Sequence, residues 1–206
     1  MQSKSARIGI VFALAATLPA MELAAVPSTA AAQGKLAIEP VAELKLKALP
    51  PGPLYWRLDN FDSLAAAKAA GGQASLTAEV AGKVWLFTLG PKGGSSAGGR
   101  KVVEIGPVPP VTAPEYLLRI NHVTGPPGAK TPIHSHPGAE AFYVLAGRMS
   151  QRTPHGVMAL EVGQSAPGHG ADMPMEVASS GTTGLDQLVM FVVDATKPFS
   201  PPAKFE

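Results

Sequence analysis

The chain has 206 residues, enough for one domain with a sizeable core. Its formal net charge is +2, only 16% of its residues are charged, and its lysines and arginines are scattered, which argues against a nucleic-acid partner. It has no cysteine, which excludes disulfides, thiol chemistry and cysteine-ligated zinc.

Residues 1–32 read as a secretory signal peptide. Lys4 and Arg7 precede an apolar run from Ile8 to Leu18. A small-residue tract follows, with Ala30 and Ala32 suited to the pockets of signal peptidase. An uncleaved anchor is the rival, but the run is short for a membrane span unless it continues past Pro19 and Glu22. Cleavage near Ala32 predicts a periplasmic or secreted protein with no membrane partner.

Residues 33–120 read as an N-terminal extension that contributes strands and a helix. Leu44, Leu46 and Ala48 share a face at period two, and Pro50-Pro51-Gly52-Pro53 ends any regular element. A short apolar patch with Tyr55 and Trp56 follows. Residues 62–72 predict the one clear helix, with Asp62 or Ser63 as cap, Phe61 as staple and Gly71 as the stop. Two strands then turn at Gly82. Residues 91–100 read as a flexible connection, and the strand after them argues against a phosphate-binding loop. Residues 115–123 predict a strand with Tyr116, Leu118 and Ile120 on its apolar face and Leu117, Arg119 and Asn121 on the other. His122 shares the parity of the apolar face and reads as a core or strand-end histidine.

Residues 121–196 predict the core of the domain, and its centre is the stretch from Gly128 to Gly147. Gly128, His134, His136, Glu140 and Gly147 have the spacing G-x5-H-x-H-x3-E-x6-G. Histidines at i and i+2 share a face of a β-strand, Pro137-Gly138 turns the chain, and Glu140 opens the next strand. Two imidazoles and a carboxylate therefore converge, a donor set suited to Fe(II) and, less selectively, to Mn, Ni, Co or Zn. Parity from Glu140 points Phe142 and Val144 inward as well. Further on, Thr153-Pro154-His155-Gly156 reads as a hairpin turn with a solvated His155, residues 187–195 as a central apolar strand, and residues 197–206 as a proline-rich tail that wraps the domain or contacts a second subunit.

The spacing around His134 resembles the first motif of the cupin superfamily at every fixed position. The resemblance implies an all-β fold, a double-stranded β-helix or jelly-roll barrel, here with one short helix and extra N-terminal strands. It implies a metal held by His134, His136 and Glu140, a small-molecule ligand or substrate, and a homodimer. No H-x-H occurs in residues 33–120, so a duplicated two-site cupin is disfavoured. The family's second motif, G-x5-P-x-G-x2-H-x3-N, is degenerate. Counting back from Ser179-Ser180-Gly181 puts Met175 at its histidine and Ser179 at its asparagine. His169, six residues before Met175, is the candidate substitute fourth ligand, or else a solvated histidine at the mouth. Three functional classes remain: a metal-dependent dioxygenase, isomerase or lyase; a non-catalytic cupin that captures or senses a small molecule; and a metal that merely ties strands together. His169 and Tyr143 are the only candidates for a separate acid or base.

Overall fold

The computed structural model describes residues 34–206, so the signal-peptide assignment lies outside the described residues. In chain order the elements are β1 (Ala37–Leu46), β2 (Tyr55–Phe61), α1 (Leu64–Ala70), β3 (Ser75–Val80), β4 (Lys83–Gly90), β5 (Arg100–Ile105), β6 (Tyr116–Gly125), β7 (Gly138–Ala146), β8 (Arg148–Thr153), β9 (Gly156–Glu161), β10 (Ser165–Pro167), β11 (Glu176–Ser179) and β12 (Leu185–Asp194). The strands form three antiparallel sheets, in the orders β1-β6-β12-β7-β10, β11-β8-β9 and β3-β4-β2-β5. Among the described residues no helix is long and apolar enough to cross a membrane.

Two apolar layers explain this arrangement. The first lies inside a barrel made by the five-stranded and three-stranded sheets. It includes Val123, Phe142, Val144, Met149, Leu160, Val177, Leu185 and Val189, drawn from β6, β7, β8, β9, β11 and β12. The second lies between the outer face of the five-stranded sheet and the β3-β4-β2-β5 sheet. There Trp56, Leu58, Trp85 and Phe87 meet Leu118, Ile120, Ala141, Leu188 and Met190. β12 supplies both layers, which is why its sequence from Leu188 to Val193 is an unbroken apolar run and not an alternating one. Burying a large apolar side chain contributes about 1.5–3 kcal/mol, so two such layers stabilise a chain that has no disulfide.

The N-terminal half departs from a simple extension. β1 pairs with β6 along its length and is part of the barrel sheet. Only β2 to β5 and α1 form the additional layer. The face of β6 carrying Leu118 and Ile120 packs on that layer, and the opposite face, with Arg119, Asn121 and Val123, lines a cavity in the barrel. Alternation identified the two faces of this strand but not which one enters the barrel.

Local chemistry sets the remaining elements. The Ser63 hydroxyl accepts from the Ala66 amide and caps α1, while Ala67 packs on Phe61 and Leu86. Gly71 ends the helix in an extended conformation, not the left-handed one expected of a capping glycine. The β3–β4 hairpin closes through Ala81 and Gly82, both at positive φ, as a two-residue turn of this hand requires. The glycine-rich connection after β4 is not a free linker. Buried Ser96 donates to Asp59, and Arg57 bonds both of them at 3.0 Å.

Candidate functional site

The segment carrying His134 and His136 is not a regular strand. It is an extended stretch held on both sides by other backbone. His134 exchanges hydrogen bonds of 3.0 and 2.8 Å with Met175 just before β11, and on its other side the Ser135 amide donates to Pro201 and the Ala203 amide to Ile133. The C-terminal tail therefore lies along the histidine segment as an added strand-like strap. Pro137 then turns the chain into β7, whose third residue is Glu140. Glu140, Phe142 and Val144 point inward, as their parity predicts.

The two imidazole rings lie 4.9 Å apart between centroids, almost perpendicular to one another at 83°. His134 Nδ1 is 2.9 Å from the Pro132 carbonyl and His136 Nδ1 is 2.7 Å from the Phe199 carbonyl. A carbonyl only accepts, so each Nδ1 carries the proton and each Nε2 is left with a free lone pair. His136 is buried, wedged between the rings of Phe191 and Phe199 at 4.8 Å from each. Glu140 is also buried. Its Oε1 accepts from the Gln151 amide of β8, and its Oε2 lies 4.0 Å from His136 Nε2.

Burial dominates the electrostatics. It pushes the Glu140 carboxyl up to about 8, against the opposing effect of the Gln151 hydrogen bond. It pulls His136 down to about 4, with the Phe199 carbonyl working the other way. Without a cation the close His136–Glu140 pair is thus a pair of neutral groups at neutral pH and not a salt bridge.

Among the described residues no three histidine or carboxylate side chains are drawn together tightly enough to count as a preformed metal cluster. The donor set nonetheless fits a divalent transition metal. Two imidazole Nε2 lone pairs and one carboxylate oxygen are the right chemistry, and 4.0 Å lies within the span of two bonds of about 2.1 Å each. The same geometry gives Gly168 a role. Its amide donates to the Glu140 carbonyl at 2.8 Å, and a Cβ there would lie 2.5 Å from Glu140 Cγ. Only glycine lets the backbone approach the carboxylate this closely.

The three residues open on a cavity of about 210 Å³ inside the barrel. Its walls are apolar, with Phe142, Val177, Val189, Phe191 and Phe199, and its remaining polar lining includes Arg119, Asn121 and Gln187. Arg119 is bonded to Glu43 and lies over the Phe199 ring at 4.1 Å. A larger depression of about 770 Å³, lined by Pro50, Pro53, Pro107, Pro109 and Pro110, contains no histidine or carboxylate and offers no comparable chemistry.

His169 is not part of this cavity lining. Its ring sits 6.4 Å from that of His155, and burial together with the His155 charge holds it below the usual histidine range. The sequence leaves it as a substitute fourth ligand or a solvated histidine at the mouth, and the lining that brings His134, His136 and Glu140 together does not include it. The glycine before it packs against Glu140. Tyr143 lies on the opposite face of β7, edge-on to Trp85 at 6.1 Å, and is no acid or base for the cavity. Met175 is fully buried, and its sulfur accepts from the Gln151 amide at 3.1 Å, beside the carboxylate. Gln151, Gly168, the Phe199 carbonyl, Arg119, Asn121 and Gln187 were not singled out from the sequence. Their one legible signal was a polar residue inside an apolar strand, as at Asn121 and Gln187.

The sheets define the class at the level of fold: an all-β, double-stranded β-helix barrel with one short helix and an additional four-stranded layer. Among solved structures the chain is similar to a cupin-like protein from Thermotoga maritima, with 17% identity over 43% of this chain and 65% of that one, TM-score 0.38. It is similar to a cupin superfamily protein from Desulfitobacterium hafniense at 14% identity over 37% of this chain and 68% of that one, TM-score 0.34. A DMSP lyase from Ruegeria pomeroyi matches at 21% identity over 42% of this chain and 43% of the lyase, TM-score 0.36. The chain thus spans under two thirds of the Thermotoga protein and under half of the lyase. No protein-family model matches the sequence, and no curated protein sequence does.

Proposed function

We propose that this is an exported metal-dependent cupin in which His134, His136 and Glu140 hold one divalent transition metal and the barrel cavity takes a small molecule. The observation that carries this is the pairing of two imidazoles whose Nδ1 atoms are fixed by backbone carbonyls with a buried carboxylate 4.0 Å from His136 Nε2. When bound, such a metal supplies Lewis-acid chemistry, or positions for oxygen and substrate. The chain's own contributions are separable. The Pro132 and Phe199 carbonyls fix the tautomer and direction of each histidine. Gln151 orients Glu140, which would hold the cation as the ionised carboxylate. Phe191 and Phe199 keep water from the His136 side of the site.

With three protein ligands, positions remain open for a reaction of the dioxygenase, isomerase or lyase kind. A second reading, capture of a small molecule without turnover, is favoured by one specific feature. Beyond the three ligands, the cavity lining offers only Arg119 as an ionisable group, and Arg119 is bound to Glu43.

Elemental analysis of the full-length protein, purified from the compartment to which it is exported, tests the assignment. The expected result is about one equivalent of Fe, Mn, Ni, Co or Zn, lost in a variant carrying both His134→Ala and Glu140→Ala. Unchanged metal content in that variant sinks the assignment. Oxygen uptake and product analysis with a panel of small aromatics then separate turnover from capture.

A further inference from the structure

The cavity carries polar groups that metal binding leaves unused. Gln187 of β12 has no exposed surface, and neither its Nε2 nor its Oε1 has a hydrogen-bond partner. Asn121 of β6 is 3% exposed, and its Oδ1 is also unpartnered. Both side chains line the cavity. The strand register explains how they meet. Asn121 is opposite Val189 and Val123 is opposite Gln187, so the two amides are diagonal neighbours on the inner face of adjacent strands. Glu140 is opposite Phe191, four residues along β12 from Gln187. The amides and the carboxylate–imidazole group therefore occupy different levels of the barrel, with Phe142 and Val189 at the level between.

Buried amides without partners are uncommon, because an apolar residue fills the same space with no desolvation cost. The neighbours on this face are valine and phenylalanine, so packing alone does not call for glutamine or asparagine. We propose that Gln187 and Asn121 form a ligand subsite for an uncharged molecule with an apolar body and one end that both donates and accepts hydrogen bonds, a carboxamide or a hydroxyl. Gln187 offers one acceptor and one donor whichever way its amide is turned. Asn121 adds an acceptor in the observed orientation. A carboxylate would face these acceptor oxygens without a free cation, since Arg119 is engaged by Glu43 and Phe199. An ammonium would leave the Gln187 Nε2 unpaired and be desolvated among phenylalanine and valine. A cavity of about 210 Å³ admits only a ligand smaller than those of typical drug-sized sites. The proposal rests on the barrel cavity being the ligand site and is independent of the metal.

The test titrates the full-length protein with benzamide, benzoate and toluene, before and after metal removal by chelation, and follows the side-chain amide NMR signals of Asn121 and Gln187. Benzamide is expected to move both signals and to bind at least about ten-fold more tightly than benzoate or toluene, with or without metal. Gln187→Leu is expected to erase that preference while toluene binds at least as well. Asn121→Leu reports the same change if Gln187→Leu does not fold. Benzoate binding as tightly as benzamide, benzamide perturbing residues outside the barrel, or no binding of any probe at millimolar concentration overturns the proposal. A benzamide preference that vanishes on chelation also counts against it, and leaves the metal assignment standing. A preference that persists after chelation supports the subsite and leaves the metal assignment to the elemental analysis, where a protein that binds no metal counts against that assignment alone.

Discussion

At Glu140, burial and the proposed metal role pull in opposite directions. Burial favours the neutral acid and pushes the carboxyl from 4.5 to about 8, whereas a metal ligand must be ionised. The folded pKa lies above the unfolded one, so in metal-free protein this group's stabilising contribution is complete below pH 4.5 and is lost as pH rises toward about 8. His136 has the opposite sign. Its pKa falls from 6.5 to about 4, so its contribution is complete above pH 6.5 and is lost on acidification toward pH 4. Between pH 6.5 and 8 only the Glu140 slope of this pair remains. The melting temperature of chelated protein is therefore expected to fall across that window, and the gain on adding metal to grow with pH, as followed by calorimetry. A chelated protein whose melting temperature is flat or rising there contradicts the account. That His134, His136 and Glu140 lie together at one cavity was legible from their spacing, because their separations along the chain are short and fixed. Gln151 and Phe199 were not, because their roles depend on contacts made across the fold. At residues 168–170 the imidazole drew attention, but the missing side chain of Gly168 is what the carboxylate requires.

The C-terminal tail is the element on which the histidines depend. It follows β12 back across the His134–His136 segment and supplies the Phe199 carbonyl that accepts from His136 Nδ1. Arg152 also lies over the Phe205 ring, at 4.4 Å, which ties down the tail's end. Deleting residues 199–206 leaves every named strand intact and removes this support. Metal affinity, measured by competition with a chromophoric chelator, is expected to fall about 10–100-fold. Phe199→Ala keeps the carbonyl and is expected to cost less. Equal affinity in the full-length and shortened proteins contradicts a supporting role. Elements were legible where local chemistry decides them, as in the Ser63-capped helix and the hairpin at Gly82. The placement of β1, the inward face of β6 and the anchoring of the 91–99 loop through Asp59 were not, because each is decided by a partner distant in sequence.

The described domain is a barrel with a second β layer on one side. In the five-stranded sheet between them, β7 and β12 are buried on both faces, and the site is on the inner face. This arrangement gives β7 and β12 a rigid backing, so the level of Glu140 and the level of Gln187 are fixed by sheet register and not by mobile loops. The all-β class followed from the turn-rich sequence and the motif that resembles the cupin one, but the third layer did not. β3 alternates and β4 carries an apolar run, but neither pattern names the surface that the layer covers. The most direct measurement is an anomalous-diffraction map from a crystal of the full-length protein loaded with one transition metal. The account predicts a single dominant peak bonded to His134 Nε2, His136 Nε2 and a Glu140 oxygen. A dominant peak elsewhere, such as beside His155 and His169, with those three donors left free, would contradict it.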